Sequence, residues 1–200
     1  MMKKIVIFGL MVMFFATSIV AQEEPGLKTG IQAPDFEALT HQGNPLRLSD
    51  INKEGPVVLV FYRGGWCMYC NRQLQALQSR LEDFKSLGTS IVAISVDLQE
   101  NAAKSVEEKQ LGFTVISDPE ADLLRLYNLV FQVPDDVVKQ YEEYGIDLNA
   151  ASGRDDHVIA IPATYVIDRS GKIVFANANK DYKVRPSIDE ILEALRSLTE

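Results

Sequence analysis

The chain has 200 residues, of which 46% are hydrophobic and 24% charged, with 28 acidic against 20 basic side chains and a formal net charge of -8. That length and apolar content suffice for one sizeable core, and two cysteines are too few for a disulfide scaffold. An acidic balance repels phosphate backbones and anionic lipid, which turns the reading away from nucleic acid and from membrane surfaces.

The first 21 residues differ from the rest. Lys3 and Lys4 precede the apolar stretch Ile5 to Ala16, then Thr17-Ser18-Ile19-Val20-Ala21, then the polar Gln22-Glu23-Glu24-Pro25. A basic start, a short apolar run and a small residue at the exit predict a signal peptide over 1–21, cleaved after Ala21, and a mature domain over 22–200. The stretch is short for an anchor and carries Gly9, Thr17 and Ser18. Export to the periplasm or medium is therefore expected, with a mature charge of -10, because Lys3 and Lys4 are the only charged residues removed from -8.

Residues 31 to 55, rich in Pro34, Gly43, Asn44, Pro45, Gly55 and Pro56, predict a short hairpin. Val57 to Tyr62 is a continuous, β-branched run suited to a strand buried on both faces. A helix follows, with Leu74, Leu77, Leu81 and Phe84 on one side and Gly88 at its end. A strand over Ser90 to Val96, a weaker helix over Asn101 to Gln110 and a strand over Phe113 to Ile116 come next. Asp118 then predicts an N-cap, with Pro119 as first residue of a helix reaching Tyr127. An insertion over 129–158 carries one amphipathic helix, Pro134 to Tyr144, with Val137, Val138, Tyr141 and Tyr144 inward and Gly145 ending it. Ala163 to Asp168 and Lys172 to Asn177 form a hairpin around Arg169-Ser170-Gly171. The last helix starts at Ser187, whose spacing to Glu190 makes a capping box, and buries Ile188, Ile191, Leu192, Leu195 and Leu198. Alternating strands and helices predict a layered α/β domain whose sheet gains antiparallel strands in its second half.

Both cysteines lie in Gly64-Gly65-Trp66-Cys67-Met68-Tyr69-Cys70, between the buried strand and the first helix. Unpaired N–H groups and the partial positive charge of a helix N-terminus stabilise a thiolate there. A pair three residues apart closes only a small loop, which stabilises little and opens easily. Redox chemistry is the expectation. Cys67, just outside the helix, is expected to be the exposed nucleophile and Cys70 the resolving sulfur. Half a zinc site is the alternative on paper, completed by His41 and His157, but both histidines sit in polar loops, and neither a metal nor another cofactor is called for. The cluster Glu142, Glu143, Asp147, Asp155 and Asp156 reads as a solvated face.

The strand, Trp66-Cys67-Met68-Tyr69-Cys70, the helix, and Ile161-Pro162 before a late hairpin resemble the thioredoxin fold. More narrowly, Val60-Phe61-Tyr62-Arg63-Gly64-Gly65-Trp66-Cys67 through Leu74, with Pro162-Ala163-Thr164-Tyr165-Val166-Ile167-Asp168, resembles the peroxiredoxin-like branch grouped with alkyl hydroperoxide reductase and thiol-specific antioxidant proteins, over about residues 31 to 199. The resemblance implies a thioredoxin-like fold: a central mixed sheet flanked by helices, an N-terminal hairpin extension and an insertion before the Pro162 strand. It also implies a peroxidatic cysteine at Cys70. The proline, threonine and distal arginine of true peroxiredoxins fall on Arg63, Cys67 and Pro162, so only the cysteine is kept. Cys67 and Pro162 are what a thioredoxin has, the latter as a cis proline facing the pair. The leading expectation is therefore an exported antioxidant thiol-disulfide oxidoreductase working by dithiol exchange. Trp66 would shield the sulfur, the backbone of Ile161 beside cis Pro162 would receive an extended substrate, and a thiol donor, such as a membrane-bound one, would supply electrons. A thiol-dependent peroxidase with Cys70 peroxidatic and Cys67 resolving is the first alternative, and a non-catalytic binding module with a structural disulfide the second. The carboxylate that a thioredoxin keeps beneath the pair is replaced by Phe61, which leaves no local base. Arg63 has two readings, as a thiolate stabiliser or as a solvated strand end.

Overall fold

A computed structural model of the chain describes residues 24–198; the predicted signal peptide lies outside them. β1 (Glu37–Leu39) and β2 (Pro45–Arg47) form the expected hairpin. α1 (Leu48–Glu54) follows where only hairpin was expected, because its first turn is held from upstream. The Asp35 carboxylate accepts the Ser49 N–H at 2.9 Å and hydroxyl at 2.8 Å. β3 (Val57–Phe61) lies in the middle of a five-stranded sheet, with α2 (Met68–Ser79) and α3 (Leu81–Ser86) after it. These two replace one predicted helix. The chain bends at Arg80, yet Leu74, Leu77, Leu81 and Phe84 all stay buried, and Gly88 at φ +64 ends the segment in a backbone state suited to glycine.

β4 (Ser90–Ser95), α4 (Gln99–Lys109) and β5 (Thr114–Ser117) complete the parallel half. α5 (Asp122–Leu126) begins later than the sequence suggests, since Pro119 stays in a turn. The Asp118 carboxylate still caps this helix, accepting N–H groups of Asp122 and Leu123 at 3.0 Å and of Leu124 at 3.2 Å.

The insertion holds more structure than one helix. β6 (Val130–Gln132) pairs antiparallel with β7 (Val158–Ala160), and α6 (Asp135–Glu143) and α7 (Leu148–Ser152) lie between them. Asp147 caps α7 through the Ala150 N–H at 2.9 Å and Gly153 ends it at φ +75. Val133, Val138 and Leu148 enter the main core, so the insertion is structural, whereas Tyr144 points outward, 71% exposed, against the inward placement expected for it. β8 (Ala163–Ile167), β9 (Ile173–Ala178) and α8 (Ile188–Arg196) close the fold, with the Ser187–Glu190 capping box formed in both directions.

The sheet order is β5-β4-β3-β8-β9, parallel among the first three and antiparallel in the last two pairings. Alternation along β3 divides the interior. Val57, Leu59 and Phe61 face one cluster with α5 and the insertion, while Val58, Val60 and Tyr62 face another with α2, α3 and α8. Cys67 and Cys70 belong to the second cluster, at the C-terminal end of the central strand, where α/β sheets place their sites.

Candidate active site

β3 delivers the chain to Arg63, and the turn Gly64-Gly65-Trp66 sets Cys67 as N-cap of α2, at φ -82 and ψ 111. Gly64 adopts φ +151, and a side chain there would run into the Trp66 indole and Asp97. The turn is tied from both sides: the Cys67 N–H donates to Gly64 O at 3.1 Å, and Asn71 Nδ2 donates to Gly65 O at 2.8 Å. The Cys70 N–H points at Cys67 Sγ, 3.3 Å away, as an orphan helix donor should. The sulfurs are joined as a disulfide, with a Cα–Cα distance of 5.3 Å.

Neither sulfur is open. Cys67 is 4% exposed and Cys70 fully buried, so Cys67 is only marginally the more accessible, and the exposed nucleophile expected of it is absent from this closed form. Met68 between them is solvent-exposed.

Cys70 has a partner that the sequence did not announce. Arg185, from the segment before α8, brings Nη2 to 3.6 Å from Cys70 Sγ. Its Nε–H is held by Gln73 Oε1 at 2.8 Å, and Gln73 Nε2 donates to the buried Thr164 hydroxyl at 3.1 Å. Burial, and then the neighbouring Arg63, lower the Arg185 pKa to about 10, so the guanidinium keeps its proton at neutral pH. Arg185 comes from a segment 115 residues beyond Cys70. No spacing to the cysteines could have signalled it.

Arg63 is buried, which removes the solvated reading. Its guanidinium lies 4.2 Å from the Tyr182 ring centroid, 5.0 Å from that of Trp66 and 5.5 Å from that of Tyr141, and it donates to the Tyr141 hydroxyl. Among the described residues neither Arg63 nor Arg185 takes part in an ion pair. Buried Arg63 and half-buried Arg185 thus lie on the cysteine side with no carboxylate in an ion pair with either, although Asp181 acts on Arg185 from a distance.

Across the turn lies the opposite case. Asp97, at the end of β4, is buried. Its Oδ2 accepts the Gly65 N–H at 2.8 Å and the Ser95 hydroxyl at 3.0 Å, and its Oδ1 has no hydrogen-bond partner among the described residues. Burial raises its pKa to about 6. Phe61 is packed against Tyr127 and Tyr165.

The Ile161–Pro162 bond is not cis; no described peptide bond is. The chain runs from β7 into β8 tied on both sides, the Ile161 N–H donating to Leu129 O at 2.7 Å and Pro162 O accepting the Asn179 N–H at 3.2 Å. The N–H that an extended substrate would use is thus engaged by the insertion. Ile161 and Pro162 instead line a cleft of about 230 Å³ with Arg63, Tyr141, Tyr182 and Lys180. Among the described residues no group of three or more His, Cys, Asp or Glu is placed to hold a metal ion.

The AhpC/TSA family model matches residues 29–176. Thiol-disulfide oxidoreductase ResA of Bacillus thuringiensis subsp. konkukian is 21% identical over 178 residues, 88% of this chain and 82% of that protein. A chloroplastic 2-cysteine peroxiredoxin of Chattonella marina var. antiqua is 27% identical over 176 residues, 86% and 80% of the two. Among solved structures, peroxidoxin BcpB of Mycobacterium tuberculosis superposes with a TM-score of 0.69 at 22% identity, over 86% of this chain and 98% of that one. With the fold, the cysteine pair and the family match in agreement, this chain belongs to the AhpC/TSA family and is an oxidoreductase of the thioredoxin superfamily.

Proposed function

We propose that the chain is a thiol-dependent peroxidase in which Cys70 is the peroxidatic sulfur and Cys67 the resolving one. The observation that carries this reading is the Arg185 guanidinium at 3.6 Å from Cys70 Sγ. In the reduced protein it favours the thiolate at Cys70, the one anion that this guanidinium contacts directly. The Cys70 thiolate attacks the distal oxygen of a hydroperoxide, the O–O bond breaks, and the sulfenic acid forms as the alkoxide or hydroxide leaves and takes up a proton. The Cys67 thiol condenses with the sulfenic acid, releasing water and forming the disulfide. An external dithiol then attacks Cys67, the more accessible sulfur, expels Cys70 as the arginine-stabilised leaving thiolate, and closes its own disulfide as the protein returns to the dithiol.

The last step is the exchange chemistry expected from the cysteine spacing. Cys67 at the N-cap favours a second reading, in which exchange with protein disulfides through Cys67 is the whole activity. Mature protein assayed for hydroperoxide consumption with excess dithiol separates the two. In a single-turnover assay Cys67→Ser should still reduce one equivalent of peroxide while Cys70→Ser reduces none. Loss of that turnover in Cys67→Ser, together with a mixed disulfide trapped on Cys67 of Cys70→Ser by a protein substrate, would overturn the peroxidase reading and establish the second. Export and an antioxidant role outside the cytosol complete the proposal, supported by the residue pattern of 1–21. Cell fractionation with N-terminal sequencing of the mature protein tests them, and a cytosolic chain beginning at Met1 would overturn them.

A further inference from the structure

The cleft of about 230 Å³ beside Pro162 is not used by the peroxide chemistry proposed above. Its walls are mostly apolar: Phe131 and Val137 come from the insertion, Ile161 and Pro162 from the connection of β7 to β8. Phe131 is 39% exposed, although a phenylalanine gains by burial, so an apolar surface is left open here.

Positive charge enters this apolar space. Arg63 lines the cleft and is only 6% exposed. Its Nη2 donates to the Tyr141 hydroxyl, and among the described residues its other nitrogens meet no hydrogen-bond acceptor. Those nitrogens are not among the wholly enclosed orphan atoms, which belong to Tyr62, Asn71 and Asp97, so they keep some open surface. The neighbouring aromatic faces attract the charge but offer its N–H groups no oxygen. Lys180 also lines the cleft, exposed to solvent and without an ion pair among the described residues. The lining therefore includes two cations and no acid. Apolar walls with unneutralised positive charge match a ligand that has a hydrocarbon part and one negative group.

We propose that this cleft binds a small free aliphatic monocarboxylate, its carboxylate on Arg63 and Lys180 and its chain against Phe131, Val137, Ile161 and Pro162. The carboxylate supplies the acceptors that the Arg63 N–H groups lack, and the chain covers the open apolar walls. At about 30 Å³ for each water displaced, the volume holds roughly eight heavy atoms, the size of hexanoate. The site needs no reactive sulfur, so it stands or falls separately from the peroxidase assignment.

Oxidised, isotope-labelled protein is titrated with hexanoate and followed by amide chemical shifts. Hexanol, with the chain but no charge, and acetate, with the charge but almost no chain, are titrated in parallel. Hexanoate should shift the amides of Phe131, Val137 and Ile161 saturably, with half-saturation at about 1 mM or below. Each analogue should bind about tenfold more weakly or worse, having lost a charge-assisted hydrogen bond or most of the buried chain. Arg63→Met should weaken hexanoate by a similar factor of about ten, and Lys180→Gln, at the exposed rim, by about two- to fivefold. Val137→Phe, which fills the cleft from a half-buried position, should abolish saturation and serves if Arg63→Met does not fold. No saturable shift with hexanoate, hexanol binding as tightly as hexanoate, or unchanged hexanoate binding in Val137→Phe would overturn the proposal.

Discussion

The two sides of the Gly64–Trp66 turn carry buried charge of opposite sign and treat it differently. On the Cys70 side Arg63 and Arg185 are held by aromatic faces, amide and carbonyl oxygens and a phenol, with no carboxylate in an ion pair with either. On the other side Asp97 is held by a backbone N–H and a serine hydroxyl, with Lys109 acting only at a distance. Buried charge costs stability unless it is paired, and on both sides the opposite charge, Asp181 for Arg185 and Lys109 for Asp97, acts only from a distance. On the arginine side the proposed mechanism places the thiolate released when the disulfide opens.

Removing the cation tests this comparison most severely. Arg185→Met keeps much of the packing and deletes the charge on Cys70. The peroxide-reduction rate constant should fall roughly 10- to 100-fold, the worth of one charge-assisted hydrogen bond to the reacting sulfur. The thiolate absorbance of reduced Cys67→Ser protein should titrate at higher pH in the Arg185→Met background, because the cation beside Cys70 is gone. An unchanged thiolate titration would mean that the arginine only packs.

On the carboxylate side the expected effect is on stability. Folding raises the Asp97 pKa from 3.8 to about 6, so over that window the native protein holds a proton that the unfolded chain has released. Its contribution is complete below about 3.8 and is lost as pH rises through about 6. Asp118 shifts in the same direction, through burial opposed by its three backbone donors. Asp97→Asn cannot titrate, so denaturant unfolding at a series of pH values should show the variant gaining on the wild type by about 2 kcal/mol between pH ~4 and ~7. A parallel pair of curves would remove Asp97 from the account.

What was legible in the sequence follows from the range of the interactions. β3, the apolar side of α2 and α3, and the Ser187–Glu190 box are set by neighbours in the chain, and each formed where the pattern put it. α1 was missed because the carboxylate that holds its first turn, Asp35, lies 14 residues upstream of Ser49, while its own N-cap, Arg47, makes no capping bond. α7 could have been found, since Asp147 and Gly153 bracket it with ordinary start and stop residues. The cysteine pair and the fold were readable, but not the charges around the pair. Arg185 and Asp97 come from the far end of the chain and from a strand end, and neither stands at a spacing that local geometry dictates. The cis proline failed for a related reason, since a resemblance carried it over while the insertion ties Ile161 differently.

The smallest effect concerns how the insertion is fastened to the arginine side. Tyr141 and Tyr144 are three residues apart at the end of α6 and were expected to point the same way. They do not: Tyr141 packs on Trp66 at 5.6 Å between centroids and accepts a hydrogen bond from Arg63, while Tyr144 stands in solvent. Tyr141→Phe keeps the ring and removes the acceptor of a buried cation, which should cost about 1.5 to 3 kcal/mol in denaturant unfolding. Tyr144→Phe should change stability by less than ~0.5 kcal/mol, as expected for an exposed side chain with no buried partner. Hydrogen exchange localises the difference, because loss of the Arg63 bond should loosen the amides of α6 ahead of those of β3. Equal costs for the two variants would mean that the ring of Tyr141, rather than its hydroxyl, fastens the insertion to the arginines.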